Sequence, residues 1–261
     1  MTEEFMDIII GKRQESDRKA ANMKDSSKGK LIVPSEDELI EKAIANALEL
    51  LDIPYKYKDK DFDNFNIAKL TNKNPDLIIA DFQKYAKNYI KNQRTPNWLV
   101  LKGSSGSGKT HLIIATLKES LSQAVAHNIR NNPNKHDRAY QNLARDFIFT
   151  TCGNLFQEIK NSYDCDDINE RDVLERYKNC RMLVLDDLGT EQTSKWFQER
   201  LFHILDYRYG EMLPIIITTN LTTQELLNHV GERTFKRIIE NADKGNNLYK
   251  LKTYNPRQNA S

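Results

Sequence analysis

The stretch Gly103-Ser104-Ser105-Gly106-Ser107-Gly108-Lys109-Thr110 constrains this chain more than any other. It fits the pattern G-x-x-x-x-G-K-[ST] without a gap, and both flanks are those the pattern needs. The apolar run Trp98 to Leu101 reads as a buried strand ahead of it, and Leu112, Ile113, Leu117 and Leu121 recur at helical spacing behind it. Glycines admit backbone conformations closed to other residues, so successive N–H groups can turn inward on a phosphate. A helix starting near Gly108 adds the positive end of its dipole. Lys109 supplies a point charge for the outer phosphates and Thr110 a hydroxyl for magnesium. The element predicts a strand–loop–helix that holds a nucleoside triphosphate.

With 261 residues there is room for one α/β domain and a smaller appendage, and 39% hydrophobic against 29% charged residues suffices for a core with a well-solvated surface. The net charge of +2 is too small for the whole-chain field to point to nucleic acid, so any such partner needs local evidence. Cys152, Cys165 and Cys180 form no C-x-x-C pair and have no histidine at zinc-ligand spacing, which predicts reduced structural thiols. Met1 to Ile10 carries Glu3, Glu4 and Asp7, unlike a basic-then-apolar leader. No run reaches the length of a membrane span, so a cytoplasmic protein with no membrane partner is expected.

Ahead of the phosphate loop, Gly11 to Lys30 is polar and basic and reads as an arm, either a solvated tail or a nucleic-acid contact. Ser35 to Leu51 reads as a helix: Ser35 and Glu38 make a capping box, and Leu39, Ile40, Ala43, Ile44, Ala47, Leu48 and Leu51 form one apolar stripe. That stripe must be buried either on the nucleotide domain or on a partner protein. Asn74-Pro75 opens a second helix whose Phe82, Tyr85, Ala86 and Tyr89 share a face. Behind the loop helix, Arg130 to Asp146 reads as an inserted surface loop, Phe147 to Thr151 as a strand, and the segment after it as two helices.

Met182-Leu183-Val184-Leu185-Asp186-Asp187 is a buried strand running into two acids, which places both at the edge of the sheet where open α/β folds bind ligands. Asp186 is the candidate metal ligand with Thr110, and Asp187 the candidate base for an attacking water. Leu213 to Thr219 is a further apolar strand ending at Asn220, whose amide can contact both that water and the terminal phosphate.

In this order the motifs resemble the AAA+ superfamily, and more closely the DnaC/DnaI bacterial helicase loaders and their relatives, the IstB transposition helpers. The resemblance rests on Gly103 to Thr110, Leu183 to Glu191, Ile217 to Leu221 and Gly231-Glu232-Arg233-Thr234-Phe235-Lys236-Arg237, and covers about Asp61 to Tyr254. It implies a three-layer αβα domain on a mainly parallel five-stranded sheet over residues 61–261, without a C-terminal lid domain. A small helical region over residues 1–60 is then the helicase-binding part. It also implies ATP and Mg2+ as cofactors, with Asp186 and Asp187 as the Walker B pair, Asn220 as sensor 1, and Arg237, ahead of Arg233, as the arginine finger reaching a neighbour's ATP site. Ser194 and Trp196 match loader residues that touch single-stranded DNA. Trp196 lies off the stripe Phe197, Leu201, Ile204, Leu205 and beside Arg200, a position that suits base stacking or packing against a neighbouring loop.

Two departures qualify the resemblance. No cysteine precedes Cys152, so a zinc module of the DnaI kind is not expected, and Asp187 stands where many AAA+ proteins have Glu. The implied function is a slow ATPase that loads a hexameric replicative helicase onto single-stranded DNA and self-associates through shared ATP sites. The alternatives are an IstB-like transposition helper and a nucleotide-dependent interaction module that does not hydrolyse.

Overall fold

The computed structural model describes residues 35–91, 94–95, 97–132, 139–163, 169–191, 194–244 and 247–253; the basic arm expected at 11–30 and Cys165 lie outside them. A sheet of β1 (Leu99–Gly103), β2 (Phe147–Thr151), β3 (Met182–Leu188), β4 (Ile215–Thr219) and β5 (Leu248–Leu251) runs in the order β2-β3-β4-β1-β5, with every neighbouring pair parallel. Strands β3 and β4 are near-continuously apolar because a parallel sheet is covered on both faces and alternation would leave polar groups in the dark. Side chains divide by parity. Leu99, Leu101, Val184 and Ile216 enter one core, and Val100, Leu183, Leu185, Ile215 and Ile217 the other.

The first core is closed by α1 (Glu36–Glu49), α2 (Pro75–Lys87), α3 (Lys109–Asn131) and α4 (Ala139–Arg145). The second is closed by α5 (Cys152–Asn161), α6 (Glu170–Asn179), α7 (Lys195–Gly210), α8 (Thr223–Val230) and α9 (Glu232–Lys244). This is the three-layer αβα fold expected from the sequence. After α9 the described chain returns to the sheet as β5. Cys152 and Cys180 are free thiols buried in the second core.

The reciprocal cap of α1 is present, with Glu38 N–H donating to Ser35 Oγ at 3.2 Å and Ser35 N–H to Glu38 Oε2 at 2.7 Å. Its stripe is not left for a partner: Ile40, Ala43, Ala47 and the following Leu51 are buried in the first core, and the compact unit that contains the sheet begins at Ile40, ahead of residue 60. The face expected on α2 is buried as well. Phe82 meets Tyr249 edge-on at 5.1 Å, and the Tyr85 hydroxyl donates to Asn97 O at 2.9 Å.

The inserted loop expected at 130–146 is corrected. Arg130 and Asn131 continue α3, and Ala139–Arg145 forms α4, anchored by buried Leu143 and Ala144; residues 133–138 lie outside the described set. Two small anchors in an Asn- and charge-rich stretch are enough to seat one helical turn pair on the core.

A buried arginine extends the core stripe of α7. Arg208 has no exposed surface, and its guanidinium donates to the carbonyls of Tyr177, Lys178 and Cys180 at 3.0, 2.9 and 2.8 Å and to Pro214 O at 2.7 Å. It joins the end of α6 to the start of β4 by satisfying carbonyls that a helix terminus leaves open.

Leu51 tests the seating of α1, being 3% exposed in the first core. Leu51→Ala should destabilise the isolated chain by about 2–5 kcal/mol, the range for a buried leucine truncation. Urea denaturation measures it, and an unchanged midpoint would mean that the stripe is not seated on the domain.

Candidate nucleotide site

Strand β1 ends at Gly103 and α3 starts at Lys109, so residues 104–108 turn at the carboxyl edge of the sheet. Gly108 caps α3 with φ +93°, and a Cβ there would come within 2.9 Å of the Phe65 ring, so conformation and contact both demand glycine. Phe65 in turn meets the His111 ring edge-on at 5.0 Å, and His111 Nε2 lies 2.8 Å from Asp61 O. The segment ahead of β1 is thereby packed over the first turn of the loop helix. Gly106 has φ +75°, and Ser107 is buried with its hydroxyl unpartnered among the described residues. A donor left open in this way is what a phosphate-binding loop carries.

Lys109 is buried and donates to Gly103 O and Ser104 O, each at 3.1 Å, and to Asn220 Oδ1 at 2.6 Å. Two candidates from distant motifs are thus in direct contact. Burial lowers the pKa of Lys109, and the charges of Asp187 and Asp186 oppose that shift.

Asp186 is buried near the end of β3. Its Oδ2 accepts from Thr110 Oγ1 at 2.8 Å and its Oδ1 from Thr218 Oγ1 at 2.5 Å. Burial raises its pKa, the two hydroxyl bonds lower it, neighbouring Asp187 raises it and Lys109 lowers it. Thr110 and Asp186, the two predicted metal ligands, therefore stand side by side. Thr218 is a functional neighbour the sequence did not single out. While its hydroxyl donates to Asp186, it also accepts the Asp187 N–H at 2.9 Å.

That second bond holds Asp187 at φ +55°, an unusual conformation for a residue with a side chain, where the β3–β4 register slips between Leu185 and Leu188. Gly189 follows with φ +104°, and a Cβ there would lie 2.3 Å from Leu221 just past Asn220. The turns after β3 and β4 are pressed together at that point. Glu191 extends the junction: one oxygen accepts from Gly189 N–H at 3.1 Å and the other lies 2.7 Å from His229 Nε2. The His229 carbonyl accepts from Gln198 at 2.6 Å. The turn after the acids is so connected to the end of α8, immediately before Gly231. Nothing in the local sequence pattern announced this link.

The remaining candidates lie elsewhere. Arg237, on α9, pairs with Asp206 Oδ1 at 2.9 Å and stacks over the Tyr209 ring at 4.3 Å, whereas Arg233 one turn earlier is exposed. Ser194 caps α7, its hydroxyl accepting from Phe197 N–H at 3.1 Å. Trp196 is half-buried, 5.7 Å from Phe156 and 5.8 Å from Tyr163, with the Arg200 guanidinium 4.9 Å from its ring. A cavity of about 350 Å³ is lined by Phe156, Lys160, Tyr163 and Trp196.

Comparison with known proteins agrees with the fold. The family described as IstB-like ATP binding protein matches residues 140–240. A crystal structure of the DnaC helicase loader superposes with a TM-score of 0.57 at 25% identity, covering 77% of this chain and all of that one. In sequence and fold the chain is similar to the DnaC helicase loaders. It is 22% identical over 139 residues to the replicative helicase loader DnaC of Escherichia coli K12, covering 53% of this chain and 49% of that protein. It is 25% identical over 207 residues to the uncharacterized protein YqaM of Bacillus subtilis, covering 76% and 57%. The matches thus span about half the length of these curated relatives. The candidate nucleotide-binding motifs are gathered at one sheet edge, and no described helix is long and apolar enough to cross a membrane.

Two outcomes test this geometry. Thr218→Val keeps the shape of a fully buried residue but removes the partner of both Asp186 Oδ1 and the Asp187 N–H, so it should cost about 1–3 kcal/mol of stability in urea melts. The second outcome is pH dependence. Because the folded state raises the pKa of Asp186, it binds that proton more tightly than the unfolded chain does. As pH falls from above the raised value to the ordinary carboxylate value, the wild type should gain stability relative to Asp186→Asn in melts without nucleotide or metal.

Proposed function

We propose that this chain is an ATP-dependent helicase loader of DNA replication that binds a hexameric replicative helicase and single-stranded DNA in the cytoplasm. The observation that carries the reading is the 2.6 Å contact between Lys109 and Asn220 beside the Thr110–Asp186–Thr218 triad, in a chain similar to DnaC. These residues fit ATP with magnesium. The loop from Gly103 to Thr110, with the open Ser107 hydroxyl, suits the phosphates, and Thr110 and Asp186 would hold the metal, which supplies Lewis-acid polarisation of the terminal phosphate when bound.

Asp187 then takes the proton of the attacking water, while Asn220 orients that water and the outer phosphate. Arg237 is the guanidinium offered to a neighbour's ATP, exchanging Asp206 for phosphate on assembly. Arg233 is the substitute if it does not. On α7, the Trp196 ring, with Arg200 against it and Lys160 beside it, supports stacking on a nucleobase, and Ser194 fixes the helix end that presents it. Helicase contact is assigned to the region 1–60. Because the α1 stripe belongs to the core, the segment ahead of Ser35 and the outer face of α1 are the surfaces for that contact.

A second reading, an IstB-like transposition helper acting on duplex DNA, is favoured by the family match over residues 140–240. Binding preference for single-stranded over duplex DNA, with its salt slope, separates the two.

The decisive experiment mixes variants in the DNA-bound assembly. Lys109→Ala should lose ATP-dependent function, Asp187→Asn should keep ATP binding and lose turnover, and Arg237→Ala should lose turnover by about 10³–10⁵. A mixture of Lys109→Ala with Arg237→Ala should recover part of the ATPase, because some interfaces then join a working loop to a working finger. Wild-type turnover by Arg237→Ala alone would move the finger to Arg233, and wild-type turnover by Asp187→Asn would remove that residue as base.

A further inference from the structure

Adjoining the nucleotide site lies a larger cavity, about 650 Å³, that shares Gly103, Ser104 and Asn220 with the motifs and is otherwise lined mostly by residues outside them. Its floor is the carboxyl end of β1 and β5, and its far wall is the turn after β4, so Gly103, Ser104 and Asn220 border it as well as the phosphate loop. Three lysines line it: Lys102, Lys250 and Lys252.

The register makes this arrangement unusual. Lys102 and Lys250 are direct partners across the parallel β1–β5 pair, so both side chains leave the same face of adjacent strands, and Lys252 follows Lys250 at the strand period of two. Like charges placed opposite each other destabilise a sheet. Burial lowers the pKa of Lys102, and the charge of Lys250 lowers it further. No ion pair of any of the three is present among the described residues. Lys102 Nζ donates to Thr223 Oγ1 at 3.0 Å, and Glu225, an acid whose charge acts on Lys102, is committed to the cap of α8 through Thr222 N–H at 2.7 Å. The bond from Lys102 to Thr223 is the one side-chain hydrogen bond that the three lysines make among the described residues.

Beside the apolar Leu221 and Leu251, the lining includes groups that can donate hydrogen bonds to phosphate oxygens: the hydroxyls of Ser104, Thr222 and Thr223 and the Asn220 amide. Among the described residues no aromatic side chain lines the cavity to stack a base. The strand that carries the lysines is firmly held, since Thr71 N–H donates to Lys252 O and the Asn72 amide exchanges bonds with Lys250 O and Lys252 N–H, all at 2.8 Å. Lys250, on β5, and Lys252, just past its end, are thus held about 6.6 Å apart along the chain, a separation of the order of that between successive phosphates on an extended strand.

We propose that the cavity between β1, β5 and the β4–α8 turn is a sequence-independent site for the phosphodiester backbone of single-stranded nucleic acid, with Lys102, Lys250 and Lys252 as its cations. The proposal rests on the nucleic-acid-binding part of the loader reading and adds a second contact, separate from the Trp196 cup. Because Asn220 lies both in this cavity and against Lys109, a strand seated here borders the catalytic amide directly.

The test uses the full chain with Lys250→Gln and Lys252→Gln together, and oligodeoxythymidylate as probe, with affinity measured across a salt series. Losing two phosphate contacts should lower the slope of log K against log salt by about 1.4. The loss should be equal for a mixed-sequence oligonucleotide, ATP affinity should be unchanged, and the thermal midpoint should hold or rise because a like-charge pair is relieved. A wild-type chain that binds single strands together with a variant of unchanged slope overturns this site alone. A wild-type chain that binds no single strand overturns the loader reading as well. If tripolyphosphate binds the wild type and not the variant while the oligonucleotide slope stays the same, the cavity takes free oligophosphate and the proposal fails.

Discussion

The Asp186 carboxylate is buried at the end of β3, and its two oxygens are held by hydroxyls from two other elements, Thr110 of α3 and Thr218 of β4. A buried ion tolerates such a position only while every partner stays in place, because losing one leaves charge uncompensated in a low-dielectric setting. The start of α3, the end of β4 and the β3–β4 register are therefore fixed relative to one another by a single side chain. Thr218 passes the constraint on, since the hydroxyl that donates to Asp186 also accepts the N–H of strained Asp187. The contacts that hold the fold here are the same ones that bring the candidate site residues together.

Charge is divided along the carboxyl edge of the sheet. Strand β3 ends in Asp186 and Asp187, whereas β1 and β5 carry Lys102 and Lys250 side by side, and the phosphate loop lies where β1 gives way to α3. Phosphates entering such an edge meet lysines on one side and a carboxylate–hydroxyl cluster suited to a cation on the other. Asn220 touches both, as the partner of Lys109 and as a wall of the lysine cavity. Arg208 binds helix-end and strand carbonyls, and the Glu191–His229 pair connects the turn after the acids to the segment that carries Arg233 and Arg237.

Much of this was legible in the sequence because it depends on local rules. The phosphate loop, the buried strands β3 and β4, the cap of α1 and the core stripe of α7 each follow from residue types at fixed spacing, and the structure has all of them. Helix α4 was hidden because two small anchors, Leu143 and Ala144, carry no readable period among asparagines and charges. Strand β5 was not read from the residues themselves: Leu-Tyr-Lys-Leu is too short for alternation to separate strand from loop, and it is held by its neighbours, β1 on one side and Thr71 and Asn72 on the other.

By itself the sequence determined that a nucleotide-binding loop joins a strand to a helix, that two acids end a buried strand, and that α1 has one apolar face. Each follows from backbone freedom, burial or periodicity within a few residues. Only the tertiary structure decided what that face covers, that Thr218 joins the two acids, that Lys109 meets Asn220, and that Lys102, Lys250 and Lys252 share a cavity. The physical reason is distance along the chain. The Lys102–Lys250 pairing is fixed by strand order and register, the Thr218 and Asn220 contacts by the close approach of the β3 and β4 ends, and neither leaves a mark on the residues next to it in sequence.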